Sequence, residues 1–194
     1  MRATLEAVLF ALWTGYLTIP LFWLLVHPFA DFWRRARGRT YAAFAVFMWS
    51  AMLAAFFYTR PFWTASRFPR SWPVILAGAA LCAVEPLLMR KAEIELGMPI
   101  LVGWAERDPG QFPPRLIDTG VYAHIRHPRY VASMAALCGL SLLTGATRVL
   151  WLSLASLPLY WLLTVAEERE LRARLGASFI AYYRRVPRFI PRIL

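Results

Sequence analysis

The chain has 194 residues, of which 59% are hydrophobic, 15% aromatic and 17% charged, with a formal net charge of +11. Its mean hydropathy of +0.47 is too high for a single water-soluble domain, so the expected class is an all-α polytopic membrane protein. The positive charge lies in blocks flanking apolar stretches, which assigns it to membrane topology and anionic-lipid affinity and argues against nucleic-acid binding.

In chain order, the first apolar stretch is Leu5 to Val26, long enough to cross about 30 Å of hydrocarbon, with Pro20 as an expected kink. It has no strong basic n-region and no A-x-A-like cleavage site, so a retained helix is expected and not a removed signal peptide. The second span is expected from Tyr41 to Tyr58 and the third from Trp72 to Met89. Glu85 is a lone acid within the third, followed at once by Pro86. An intramembrane carboxylate is a candidate functional residue, here for substrate, although Arg90 lies only about 7.5 Å further along a helix.

A polar interval follows, interrupted by the apolar run Met98 to Trp104. That run is too short to span and is expected at the interface, where Leu101 would line a lateral opening for a lipophilic substrate. The turn-rich string ERDPGQFPP comes next, its prolines marking the bends of a lid over the site. Then RLIDTGVYAHIRHPRY leads into a fourth span, Tyr130 to Thr144. Gly145 to Arg148 makes a tight turn, and Val149 to Ala166 is the fifth span. Beyond it, Glu167 to Tyr183 carries leucines and aromatics at helical intervals among charges, an amphipathic helix that should stop before Val186 and Pro187. The chain is thus expected to be one integral-membrane domain over 1–194, with three spans in 1–91 and a cofactor-binding half in 92–194.

Basic residues set the orientation. Four arginines separate spans one and two, six basic residues separate three and four, and seven arginines follow span five, against five basic residues (Arg2, Arg60, Arg67, Arg70, Arg148) at the opposite ends. The positive-inside rule places the C-terminus and segment 90–129 in the cytoplasm and the N-terminus outside. The expected location is a bacterial inner (cytoplasmic) membrane.

Chemistry concentrates on that cytoplasmic face. Two of the three histidines, His124 and His127, fall within one six-residue string, and the hairpin of spans four and five returns Glu167 and Glu168 to the same membrane level. Arg126, Arg129 and the flanking tyrosines also suit simple snorkelling and an aromatic belt, but that reading does not explain two such patches meeting across one hairpin. No metal-ligand spacing occurs, and no metal is expected. Cys82 and Cys138 fall in predicted spans, where a thiol is ordinary packing.

The strings L-I-D-T-G-V-Y-A-H-I-R-H-P-R-Y (Leu116 to Tyr130), E-E-x-x-L-x-x-x-L-G-x-x-F-x-x-Y (Glu167 to Tyr182) and V-P-R-F-I-P, in that order over roughly residues 110–194, resemble the isoprenylcysteine carboxyl methyltransferase and phospholipid methyltransferase superfamily. The resemblance implies an integral-membrane enzyme using S-adenosyl-L-methionine, with the cofactor enclosed by the cytoplasmic end of the helices. It implies that Leu116 and Ile117 line the cofactor, Tyr122 packs on it, His127, Pro128 and Tyr130 wall the pocket, and Glu167 closes it. Gly120, Arg126 and Glu168, in the same strings, are cofactor-binding candidates with them. A cationic sulfonium gains from π-faces and carboxylates. An amine or hydroxyl acceptor would have to lose a proton, and His124 and Glu167 are the nearest candidates.

One departure bears on the acceptor. In the isoprenylcysteine branch an arginine one turn before the acidic pair holds the substrate carboxylate, and here Leu163 stands there. Without that clamp, the expected acceptor is a lipid, an isoprenoid, or a small lipophilic amine or thiol entering from the bilayer. The membrane sterol and steroid reductases share an RHP-x-Y string and bind NADPH, but they carry Asn where this chain has Arg129. That reading and a non-catalytic protein keeping the fold are the alternatives.

Overall fold

The structure, a computed structural model, describes residues 2–36, 38–97 and 115–191. The run Met98 to Trp104, with Leu101, and the expected lid prolines lie outside the described residues. Helix α1 spans Arg2–Val26 and continues through a 3-10 turn at His27–Phe29 into α2, Ala30–Arg35. Then come α3 (Gly38–Tyr58), α4 (Arg60–Thr64), α5 (Trp72–Leu96), a 3-10 turn at Gly120–Ala123, α6 (Pro128–Thr144), α7 (Thr147–Leu175) and α8 (Ala177–Arg185). Among the described residues the sole β pairing is an isolated bridge between Arg67 and Ala146.

Among the described residues, four stretches are long and apolar enough to cross a membrane: Ala3–Trp33, Gly38–Tyr58, Trp72–Leu96 and Thr147–Leu175. The fifth, α6, has 17 residues, about 25 Å at helical rise, and lies against α1, α5 and α7. The protein is therefore an all-α integral-membrane bundle of about five crossing helices.

Three expected boundaries move. The third span ends not at Met89 but at Leu96, because R-K-A-E-I-E-L after it contains good helix formers and no breaker until Gly97. The amphipathic helix expected over Glu167 to Tyr183 is divided: α7 runs unbroken to Leu175, and Gly176, at φ +58°, separates it from α8. Only a residue without Cβ adopts that backbone readily. The hairpin turn shrinks to Gly145 and Ala146, with Gly145 left-handed at φ +65°.

Helix packing follows from side-chain size. Between α5 and α6, a Cβ added to Gly139 would stand 2.7 Å from both the Cys82 Sγ and the Gly78 carbonyl oxygen. Glycine on both faces lets the two backbones touch, as helices without a hydrophobic drive between them require. On α1, an aromatic core gathers Phe10, Trp13, Phe22 and Trp23 with Tyr41, Tyr130, Tyr160 and Leu163. Trp13 donates Nε1–H to Ser153 Oγ at 2.8 Å, and Thr14 donates to the Phe10 carbonyl at 2.9 Å, so both groups are satisfied within the bundle. Pro20 and Pro86 lie inside α1 and α5.

The hairpin end of the bundle is pinned by arginine. Arg67 and Arg70 donate to the carbonyls of Thr144 and Leu143, each at 3.2 Å, capping the last turn of α6. Glu6 of α1 balances them, 2.9 Å from Arg67. The opposite end carries the residues singled out for chemistry.

Candidate active site

Segment 115–127 forms the approach to α6. Gly120 takes φ +55°, and a Cβ there would collide with Glu95 Oε1 at 2.0 Å, so glycine is what lets the chain pass over the end of α5. Thr119 donates to Glu95 Oε2 at 2.6 Å and fixes that crossing. The turn then buries Tyr122, whose carbonyl accepts the Tyr182 hydroxyl of α8 at 2.8 Å. Burial pushes the Tyr122 phenol well above its ordinary pKa, with Arg129 opposing and the Glu167 charge adding to the shift, so it stays a neutral donor.

Backbone pairing joins this segment to the C-terminal one. Arg126 and His127 donate their N–H groups to the carbonyls of Pro187 and Arg188, at 2.9 and 3.2 Å. Pro128 is the first residue of α6, where a missing N–H costs nothing.

The side chains converge on Glu168, which is 2% exposed. Its Oε1 accepts from Arg126 Nε at 2.9 Å and faces His127 Nε2 at 3.0 Å. Its Oε2 accepts from Arg188 Nη2 at 2.6 Å. His127 Nδ1 lies 3.5 Å from Glu167 Oε2. Burial alone would depress the imidazole, but the adjoining carboxylates of Glu167 and Glu168 more than offset it and hold the pKa above 6.5. With a carboxylate facing each ring nitrogen, bonded at Nε2 and 3.5 Å away at Nδ1, His127 is an imidazolium. It bridges the pair and is in no state to accept a proton.

Glu167 differs from its neighbour. Its Oε2 is buried and has no hydrogen-bond partner among the described residues, 3.5 Å being too long for one. Tyr130 stacks on His127 with ring centres 5.7 Å apart and meets Tyr160 edge-on at 6.3 Å. Arg126 lies over the Tyr183 ring at 4.2 Å, with Arg172 also over that ring at 4.1 Å.

The structure therefore brings Tyr122, Arg126, His127, Pro128, Tyr130, Glu167 and Glu168 to one end of the bundle. Leu116 packs with Phe179 and Tyr182 on α8 and with Val186 just past its end, and Ile117 is half-buried beside it in the chain. Three other candidates fall elsewhere. His124 is exposed and lines an open cleft of about 400 Å³ with Lys91, Ile94, Glu95, Gly120 and Val121, so it is not assembled with Glu167. Leu163 is fully buried in the aromatic core. Glu85 sits within α5, one residue before Pro86.

Two participants were not singled out from sequence. Arg188 lies inside the quoted V-P-R-F-I-P string, its role hidden until the backbone pairing is seen. His27 ends the first span, 4% exposed, with Nδ1 2.9 Å from Glu170 Oε2 and its ring stacked on Trp23 at 5.2 Å. A lone histidine at the end of an apolar run carries no spacing that would announce this.

A family model described as phospholipid methyltransferase matches residues 74–177, more than half of the chain, from the start of α5 to the start of α8. No curated protein and no solved structure matches the chain.

Proposed function

The chain belongs to the phospholipid methyltransferase family, and from that membership we propose that it transfers the methyl group of S-adenosylmethionine to a lipophilic acceptor dissolved in the bilayer. The observation that carries the reading is the buried Oε2 of Glu167, which accepts no hydrogen bond among the described residues and has His127 Nδ1 3.5 Å away. A buried carboxylate oxygen without a donor is costly unless something with a donor or positive charge occupies the adjoining space. S-adenosylmethionine has ribose hydroxyls, an ammonium and a sulfonium, so the donor set and the cofactor fit.

In this reading Tyr122 and Glu167 contact the cofactor, and Tyr130 backs the wall through its stack on His127. The Arg126–His127–Glu168–Arg188 knot positions them. When bound, the cofactor supplies an electrophilic methyl group activated by the adjoining cationic sulfur. What the chain supplies is placement and dryness, an effect that contributes on the order of 7–11 kcal/mol when reactants are well aligned. A thiolate or carboxylate acceptor needs no base. For an amine or hydroxyl, Glu167 is better placed than His124, which is exposed and lines an open cleft elsewhere.

The test is incubation of purified protein in nanodiscs with cell lipid extract and S-adenosylmethionine labelled in the methyl group. Label should pass into chloroform-extractable material with wild type and not with Glu167→Ala. Consumption of NADPH in a parallel reaction, with no methyl transfer, would move the chain to the reductase reading.

A further inference from the structure

Helix α7 leaves the apolar core before it ends. Its buried residues run from Val149 to Thr164, and over the remaining three turns or so Glu168 alone joins them. The alignment of that stretch, with Glu167 in it, therefore depends on polar bonds and not on core packing. At 3.6 residues per turn, Glu168 projects about 100° to one side of Glu167, and Glu170, three residues on, about 60° to the other. Glu168 is tied to Arg126, His127 and Arg188. A helix end held on one side only can roll about that anchor; a second anchor beyond Glu167 stops the roll.

That second anchor comes from the N-terminal end of the chain. The 3-10 turn at His27–Phe29 lies against α7. There His27 Nδ1 meets Glu170 Oε2 at 2.9 Å, with the two side chains 1% and 9% exposed. Against a carboxylate acceptor the ring hydrogen sits on Nδ1, which donates. Arg174, one turn further along α7, stands 3.9 Å from the other Glu170 oxygen. The imidazole is itself held in place, because Trp23, one turn earlier on α1, stacks on it with ring centres 5.2 Å apart and planes 24° apart. Trp23 belongs to the same aromatic core as Leu163, so the bond ties Glu170 back to the packed part of the bundle.

We propose that His27 is a positioning residue for Glu167: through Glu170 it fixes the roll of α7 and so aims the Glu167 carboxylate at the cofactor. The proposal rests on the reading in which Glu167 contacts S-adenosylmethionine. It also gives α1, which precedes the region matching the phospholipid methyltransferase family, a part in arranging the site. A bond that only staples α1 to α7 lowers stability when removed and leaves the affinity of the folded protein alone. A bond that aims Glu167 changes that affinity, and does so only while the Glu167 carboxylate is present.

The experiment is equilibrium dialysis of methyl-labelled S-adenosylmethionine against the full-length protein in nanodiscs, with thermal-unfolding midpoints read on the same samples. His27→Asn keeps an N–H near the place of Nδ1, His27→Gln keeps one near the place of Nε2, and His27→Ala keeps neither. Gln and Ala should weaken the cofactor about three- to ten-fold, a coupling usual between residues of one hydrogen-bond network, and Asn should recover most of the loss. In the Glu167→Gln background His27→Ala should still lower the midpoint but weaken the cofactor no further. Glu170→Leu cuts the same bond from the α7 side, should match His27→Ala, and keeps the test available if the His27 variants do not fold. Unchanged affinity in folded His27→Ala and Glu170→Leu, equal affinities for Asn and Gln, or an undiminished loss in the Glu167→Gln background overturns this assignment and leaves the cofactor reading standing. Absence of saturable binding by wild type overturns the cofactor reading itself, and this assignment with it.

Discussion

Glu167 and Glu168 are adjacent in sequence and opposite in surroundings. Glu168 is enclosed by Arg126, His127 and Arg188, so removing it strands three cations in a place built for neutrality. Glu168→Ala should cost about 3–5 kcal/mol, the usual penalty for breaking one partner out of a buried ionic group. A thermal-unfolding midpoint in detergent reads it. Glu167→Gln, which keeps the shape and removes the charge from an oxygen with no protein donor, should lower that midpoint far less; equal losses would merge the two roles. His127 adds a pH signature. Its folded pKa is raised above 6.5, so its stabilising contribution is complete below that value and is lost as pH rises through the folded pKa. The unfolding midpoint should therefore fall as pH is raised from 6.5, and the fall should flatten in His127→Gln. An unchanged slope in that variant would mean another group is titrating. At this scale the sequence exposed the string His127-Pro128-Arg129-Tyr130 and the acidic pair, because each is locally dense in polar types. It did not reveal that Glu168 is enclosed and Glu167 left open, since that depends on Arg188, whose backbone pairs with His127 only in the folded chain. His124, only three positions away, is exposed on a separate cleft. Spacing alone cannot say which of two nearby histidines turns inward.

Prolines inside helices are the element-scale feature with the clearest consequences. In α1 the carbonyl freed by Pro20 is capped by Tyr160 of α7, a bond between segments 144 positions apart in the chain. Tyr160→Phe should orphan that carbonyl and cost about 1–3 kcal/mol. Restoring the N–H with Pro20→Ala should remove most of the penalty, so the two substitutions should be non-additive in a double-mutant cycle read by thermal unfolding. Additivity would mean that the hydroxyl does not serve the carbonyl. The five apolar stretches were legible as elements because their composition is extreme, whereas their ends were not. Span three runs on to Leu96, and α7 carries straight through the acidic pair to Leu175, because the residues beyond the apolar stretch are themselves good helix formers. The glycine contact between α5 and α6 escaped notice because Gly78 and Gly139 lie in different spans, and only their meeting gives them meaning.

Over the whole molecule, the two ends differ in kind. One is a small arginine-capped turn around Glu6, Arg67 and Arg70; the other holds the ionic knot, the Tyr122 turn and α8. The distribution of basic residues in the sequence supports placing the second end in the cytoplasm. Single cysteines introduced at exposed Arg184 and exposed Ser66, in a chain with Cys82 and Cys138 replaced by alanine, should be labelled by a membrane-impermeant maleimide from opposite faces, Arg184 from the cytoplasmic one. Labelling of both from one face would overturn the arrangement. The central claim is that the knot end holds S-adenosylmethionine through Glu167, and equilibrium dialysis of the labelled cofactor against the purified protein tests it most directly. Wild type should bind saturably, Glu167→Gln should bind about ten-fold or more weakly, as loss of a charged hydrogen-bond acceptor implies, and NADPH should not compete. No saturable binding by wild-type protein, or equal affinity in the two proteins, would contradict the account.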